Sequence, residues 1–429
     1  MKNEAIYTQY MYSYPHKTAY RKLNGIVFDD YKHYLQAGKN GLYFHVPFCE
    51  SKCGYCNLFS VTGKNSAYMD SYLDAMEEQI RQYQLGQIEF CDLTIGGGTP
   101  LLLSEAQLER LFVMAEHAVR WEKKEHPVII ETSPNQTTEE KLAILKEHGV
   151  SRVSIGVQSF CEEELRQLNR RHTVCRAREA IELIKSKEFA CMNLDLIYGI
   201  PGQTIDSVMC SVKEALLYEP EELFVYPLYI KEGTYLAGKQ VKNPESTFAM
   251  YQEIRRFLQE NGYVAYSMRR FVRKDCKNHA DMQSCGFGNT VSIGCGGRSY
   301  MGNLHFCTPY SVSQPACREV LADYISTKDY THITNGYILN EEEEKRRYVI
   351  KNLLFASGIS KKEYKELFGK EPEEDWVQFT DWKNKKYLYE EDNHFYLTEE
   401  GFSLSDYLGP MLISEEVQNR MKEWKEGLC

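Results

Sequence analysis

Three cysteines, Cys49, Cys53 and Cys56, fall within one short stretch, FHVPFCESKCGYCNLFS (residues 44–60), with three and then two residues between them. A catalytic nucleophile needs one cysteine, a tetrahedral zinc site takes four protein ligands or three and a water, and an iron–sulfur cubane usually takes four thiolates. Three close thiolates with no fourth nearby point to a cubane with one iron left open. A small molecule carrying an amine and a carboxylate can chelate that iron, and S-adenosylmethionine (SAM) is such a molecule. One electron from a low-potential cluster would then cleave its sulfonium and leave a 5′-deoxyadenosyl radical. The competing reading is a zinc loop that borrows a distant ligand, or three incidental thiols.

The rest of the chain has to position such a loop. From residue 41 short β-branched runs alternate with amphipathic segments: LYFHVPF, FCDLTIGG, PVIIETS, VSRVSIGVQS, MNLDLIYGI and ELFVYPLYI are strand candidates. Helical patterns such as SEAQLERLFVMAEHAV and TEEKLAILKEHG lie between them, the second expected to start after Thr137 and to stop at Gly149. A further helix, STFAMYQEIRRFLQENG, follows the sixth strand. Six β-then-α units in series predict an α/β fold with a parallel sheet, here a partial (β/α)6 TIM-like barrel. The unusual residues recur at one place in every unit. The cysteines follow strand one, GGGTP (96–100) follows strand two, Glu131 and Gln158 end strands three and four, and Asp195 and Tyr226 lie in strands five and six. Parallel barrels keep their chemistry at the C-terminal strand ends, so six strands nominate one rim.

A chain of 429 residues is too long for one small domain. The expected division is an N-terminal arm (1–40), the barrel and its extension (41–310) and a C-terminal domain (311–429). In that last part LNEEEEKRRYVIKNLLFASGISKKEYKELFG reads as helix, turn and helix, and DWKNKKYLYEEDNHFYLTEEG as a two-stranded wing. A small helical, winged-helix-like domain results, expected to pack over the barrel rather than to bind DNA. The net charge of −10 disfavours nucleic acid and anionic membranes as partners. No stretch reads as a signal peptide or a membrane span, so a cytoplasmic protein is expected, its 14 cysteines mostly reduced. The 31 tyrosines suit an apolar cavity studded with hydroxyls.

In order and spacing, YFHVPFCESKCGYC, GGGTP, VSIGVQSF, LNRRHT and NLDLIYGIPGQT resemble the coproporphyrinogen III oxidase-like (HemN/HemW-type) branch of the radical SAM superfamily. The match runs from about residue 41 to 230 and continues, less closely, through GCGGRSY (294–300). The resemblance implies a [4Fe-4S] cluster on Cys49, Cys53 and Cys56, with Tyr43, Gly97 and Glu131 contacting the cluster-bound SAM. It also implies a second SAM beside the first, in a pocket of Tyr55, Gly98, Thr99, Gln158, Arg170, Asp195 and Pro227. Arg170 would pair with the second methionine carboxylate and Asp195 with ribose hydroxyls. Bland readings stand beside these: an Arg170–Asp195 ion pair, and a Gln158 that serves only backbone. A flavodoxin-like or ferredoxin-like electron donor is implied as a partner.

The sequence departs from the family in three places. Where the oxidase carries another cysteine, two residues after the third ligand, this chain has Leu58. Cys276, Cys285, Cys295 and Cys307 are spaced too loosely for most auxiliary clusters and read as ordinary thiols. The arm YMYSYPHKTAY either folds across the barrel mouth or packs outside it; across the mouth, His16 becomes a candidate acid–base group or an anchor for an anionic substrate. Tyr55 and His16 are thus the candidate catalytic residues. The leading expectation is a class C methyltransferase-like enzyme, transferring a methyl or one-carbon unit from a second SAM to an sp² carbon. The alternatives are radical redox chemistry on a tetrapyrrole, including haem ring opening, and a haem chaperone.

Overall fold

The computed structural model describes residues 7, 10–11, 13–35, 40–63, 65–119, 126–231, 233–237, 244–276 and 288–426. Cys285, one of the loosely spaced thiols, lies outside the described residues.

Six strands pair in parallel and in sequence order: Asn40–Val46, Asp92–Gly97, Val128–Thr132, Arg152–Gln158, Cys191–Tyr198 and Glu222–Pro227. Their near-continuous apolar runs follow from burial on both faces, since helices cover one side and the barrel interior the other. The structure is a partial TIM-like barrel, as the alternation requires. A seventh strand, Asn289–Ile293, adds in parallel on the free side of Asn40–Val46, setting Thr290 against Gly41 and Ile293 against Phe44. An antiparallel extension continues from it: Ser299–Met301, Leu304–Phe306, His332–Ile338 and finally Arg21–Val27 of the N-terminal segment.

The crossover helices begin where side chains satisfy their free N–H groups. Asn65 caps Ser66–Tyr83, Ser104 and Gln107 form a reciprocal capping box on Glu105–Ala118, and Thr204 and Ser207 do the same for Ile205–Leu217. One cap differs from expectation. The helix Glu139–Glu147 starts on Thr138, not Thr137, because the Thr137 hydroxyl is engaged with the Ser133 carbonyl at 3.0 Å in the preceding turn. Gly149 takes the left-handed conformation just past the helix end, as expected.

The C-terminal part carries the helices Glu341–Leu353 and Lys361–Phe368 and the hairpin Leu388–Glu391/His394–Leu397. Ile359–Ser360 adds to this wing, making it three-stranded where two were expected. Its core is shared with the arm: Met11, Tyr14, Ala19 and Tyr20 pack with Val349, Leu353, Leu408 and Leu412.

Asp406, fully buried on the C-terminal part, is the polar knot of this junction. Its carboxylate accepts from the Arg269 guanidinium and the Tyr229 hydroxyl on the barrel side and, at 3.5 Å, from the Met11 N–H of the arm. The Arg269 guanidinium in turn lies 4.0 Å from the centre of the Tyr10 ring. Removing one partner of a buried ion pair strands the other charge at about 3–5 kcal/mol. Asp406→Ala is therefore expected to lower the urea-unfolding free energy by about that amount. Asp406→Leu combined with Arg269→Met should recover most of the loss; an Asp406→Ala protein of wild-type stability would contradict this role.

Candidate functional site

The C-terminal strand ends open on a cavity of about 400 Å³. Cys49, Cys53 and Cys56 line it together with Tyr55, Gly97, Gly98, Thr99, Glu131, Gln158, Arg170, Asp195 and Pro227. Residues assigned from seven separate stretches of chain thus share one wall.

The cysteine loop is seated by a short parallel pairing of Phe48–Cys49 with Val61–Thr62 and by backbone hydrogen bonds to neighbouring segments. Gly98 N–H donates to the Val46 carbonyl and Thr99 N–H to that of Phe48, each at 2.8 Å, which ties the glycine run to the start of the loop. Gly54 N–H donates to Leu168 at 2.8 Å and its carbonyl accepts from Leu236 N–H at 2.9 Å, which ties the middle of the loop to the far wall. Gly98 has to be glycine: a Cβ there would lie 2.6 Å from the Phe48 carbonyl oxygen and 2.9 Å from Cys49 Sγ. Gly97 holds φ +118° and donates its N–H to Glu131 at 3.0 Å.

Burial pushes the Cys49 thiol up to about 12, with the neighbouring Cys56 and Cys53 adding to the shift, and burial raises Cys56 as well. At neutral pH both thiols stay protonated unless a nearby positive charge, such as a metal, favours the thiolate. Among the described residues, no three His, Cys, Asp or Glu side chains converge as they would on a single ion. Three thiols on the wall of one cavity fit the ligand set that a cubane takes.

Around the thiols the polar groups are ordered. Arg170 places one guanidinium nitrogen 3.0 Å from Cys53 Sγ and gives another to the Gly156 carbonyl at 2.6 Å. It forms no ion pair with Asp195, whose carboxylate accepts from Asn193 Nδ2 at 2.8 Å instead. Gln158 sits at φ +72° with its amide beside Gly156. Burial pushes the Asp195 carboxyl up to about 7 and raises that of Glu131.

Two assigned residues lie off the cavity wall. The Tyr43 ring packs beside Gly297, on the chain that follows the seventh strand, and its hydroxyl donates to Nδ1 of His45 at 3.2 Å. His45 is fixed in turn by its Nε2–H, which donates to the Phe59 carbonyl at 3.1 Å. His16 is buried one layer back; its Nδ1 caps the turn Lys17–Ala19 and its Nε2 lies 3.3 Å from Nζ of Lys231, a cavity residue.

Among the lining residues, Tyr229 and Lys231 were not assigned from the sequence, and Tyr10 only as one of the tyrosines of the arm. Tyr10 of the arm stacks on Tyr229 at 5.8 Å between ring centres and meets Tyr226 edge-on at 6.2 Å. The arm therefore does reach the barrel mouth. Tyr229 and Lys231 lie just beyond the sixth strand, the rim position already flagged in the other five, which was the available signal.

Two expectations follow. Gly98→Ala should cost about 1–3 kcal/mol of stability through overpacking, and it should lower the iron and sulfide retained per chain after anaerobic reconstitution. Full cluster content in that variant would contradict the close approach. A carboxyl raised by burial stabilises the fold below its unfolded pKa, and that contribution is lost as pH rises through the folded value. Asp195→Asn should therefore gain stability over the wild-type apoprotein progressively from about pH 4 to 7 and hold that gain above it, as read by urea unfolding; a pH-independent difference would contradict the burial of a carboxyl there.

Residues 43–214 match the model of the Radical SAM superfamily. The chain is similar to the heme chaperone HemW of Bacillus subtilis (27% identical over 382 residues, 87% of this chain and 99% of the relative) and to that of Lactococcus lactis (25%, 88% and 98%). It is also similar to the oxygen-independent coproporphyrinogen III oxidase of Escherichia coli, at 30% identity over 54% of this chain and 52% of that one. The solved structure of the Escherichia coli coproporphyrinogen III oxidase HemN superposes over 94% of this chain and 96% of its own with a TM-score of 0.79, at 21% identity, and so shares the fold. None of these relatives carries the methyl-transfer expectation by its name. The likeness to HemN/HemW-type radical SAM proteins that the motifs carry thus extends over most of the chain, with the radical SAM match itself confined to residues 43–214.

Proposed function

We propose that this protein is a radical SAM enzyme whose substrate is a tetrapyrrole or a similarly large conjugated molecule, on which it performs redox chemistry. The observation that carries the reading is the cavity itself. On one side stand three thiols and the glycine run; on the other stands an aromatic wall of Tyr10, Tyr226 and Tyr229, suited to the face of a flat conjugated ring. Relatives named as heme chaperones and coproporphyrinogen oxidases support the choice of ring.

In this reading Cys49, Cys53 and Cys56 hold a [4Fe-4S] cluster, and Gly97 and Glu131 face the SAM bound to it. Cluster and SAM, when bound, supply a 5′-deoxyadenosyl radical by one-electron cleavage of the sulfonium. The chain's own part is to bind, orient and keep water out. Burial raises the phenol pKa values of Tyr55 and Tyr226 well above their ordinary value, so both stay neutral hydrogen-bond donors at the site. Asp195 and Gln158, with Thr99 and Pro227, border the space for a second adenosyl group, were one to bind. Arg170 would have to leave Cys53 or share its guanidinium to reach a carboxylate. Tyr43 acts on the site through His45, and His16 through Lys231.

A second reading, haem binding and transfer, draws support from the full-length match to heme chaperones. Anaerobic incubation with SAM, a flavodoxin-type reductant and either haemin or coproporphyrinogen separates the cases. The enzyme reading expects tetrapyrrole-stimulated 5′-deoxyadenosine and a changed product mass, both abolished by Cys53→Ala. Tight stoichiometric haemin binding without deoxyadenosine would favour the carrier, and S-adenosylhomocysteine formed alongside deoxyadenosine would restore one-carbon transfer.

A further inference from the structure

Beside the cavity lies a set of basic side chains that the radical chemistry does not use. Lys17 comes from the arm, Lys231 from just past the sixth strand, and Arg298 from the glycine-rich run before Ser299–Met301. Lys17 is buried, with its ammonium 3.8 Å from the centre of the Tyr310 ring. Lys231 lines the cavity and brings its ammonium to 3.3 Å from Nε2 of buried His16. The Arg298 guanidinium donates to Ser13 of the arm.

Three remote stretches of chain thus deliver basic nitrogens to one place. The groups acting on Lys231 and most strongly on Lys17 include Arg298 and, for Lys17, Lys231 and the thiols of Cys307 and Cys56, with no carboxylate among them. Neither lysine forms an ion pair among the described residues. A buried lysine whose charged neighbours are basic pays desolvation without a Coulombic return, so stability does not account for the placing of Lys17. Such an arrangement does bind anions, most strongly where water is excluded.

The geometry points to a carboxylate-binding subsite, formed by Lys17, Lys231 and Arg298, that anchors the propionate side chains of a tetrapyrrole while its ring lies against Tyr10, Tyr226 and Tyr229. This inference rests on the tetrapyrrole reading above and adds to it the part of the substrate that is recognised and the residues that recognise it. Lys231 opens on the cavity and would meet a carboxylate directly, while Lys17 and Arg298 stand behind it and add to the positive field.

The test compares protoporphyrin IX with its dimethyl ester, which keeps the ring and removes both charges. Each is titrated into the anaerobically reconstituted wild-type protein and into Lys17→Met and Lys231→Gln. The wild type should bind the diacid about tenfold to a hundredfold more tightly than the diester. Each variant should lose most of that preference by weakening for the diacid alone, and Lys17→Met should keep a thermal midpoint no lower than wild type, since a buried charge has been removed. Equal wild-type affinity for both porphyrins would overturn the subsite and leave the tetrapyrrole reading standing; failure to bind either would remove both. SAM affinity, measured by equilibrium dialysis, should not change in the variants. A loss of SAM binding in place of porphyrin discrimination would assign the basic set to the cofactor's own carboxylate and overturn the proposal.

Discussion

Everything at the site depends on how the cysteine-bearing segment after the first strand is held at the end of a parallel sheet. Beyond the short pairing of Phe48–Cys49 with Val61–Thr62, residues 50–60 form no strand or helix, so neighbouring strand ends supply the remaining hydrogen bonds. The Val46 and Phe48 carbonyls receive the Gly98 and Thr99 amides, and Gly54 is gripped from both sides by Leu168 and Leu236. The loop is thereby fixed at both its base and its middle, and three thiols on it keep their spacing. Side chains that need only proximity then follow at no further structural cost, because every parallel strand ends on the same rim.

The second determinant is how the chain termini close that rim. Arg21–Val27 pairs with His332–Ile338 at the edge of the sheet, and the residues before it cross to the mouth and enter the C-terminal core. Asp406 fixes the crossing by engaging the barrel through Arg269 and Tyr229 and the arm through Met11. A cavity wall made of Tyr10, Tyr226 and Tyr229 is thus assembled from residues separated by more than two hundred positions. The same crossing brings Lys17 beside Lys231, which gives the arm a chemical as well as a covering role.

The barrel was legible because its signals are local. Strand runs, helix caps and the residues just past each strand depend on neighbours a few positions away, and the same is true of the cysteine spacing. What could not be read depends on long-range return of the chain. Asn289–Ile293 carries no mark that it will pair beside Asn40–Val46, yet its arrival places Gly297 against Tyr43 and turns that tyrosine towards His45. Arg170 offers a similar lesson: a guanidinium and a carboxylate on one rim make an ion pair plausible from sequence. Each instead has a nearer partner in the fold, Cys53 and Gly156 for Arg170, and Asn193 for Asp195. The wing gained its third strand in the same way, from two residues too few to register as a strand.

The central claim is that the three thiols hold a cubane with one iron reserved for SAM. Mössbauer spectroscopy of the anaerobically reconstituted protein, recorded with and without SAM, addresses it directly. The account predicts a [4Fe-4S] signal in which a single iron site changes on SAM addition while the others stay fixed. Bound zinc, or a cluster in which every iron is indifferent to SAM, would contradict it.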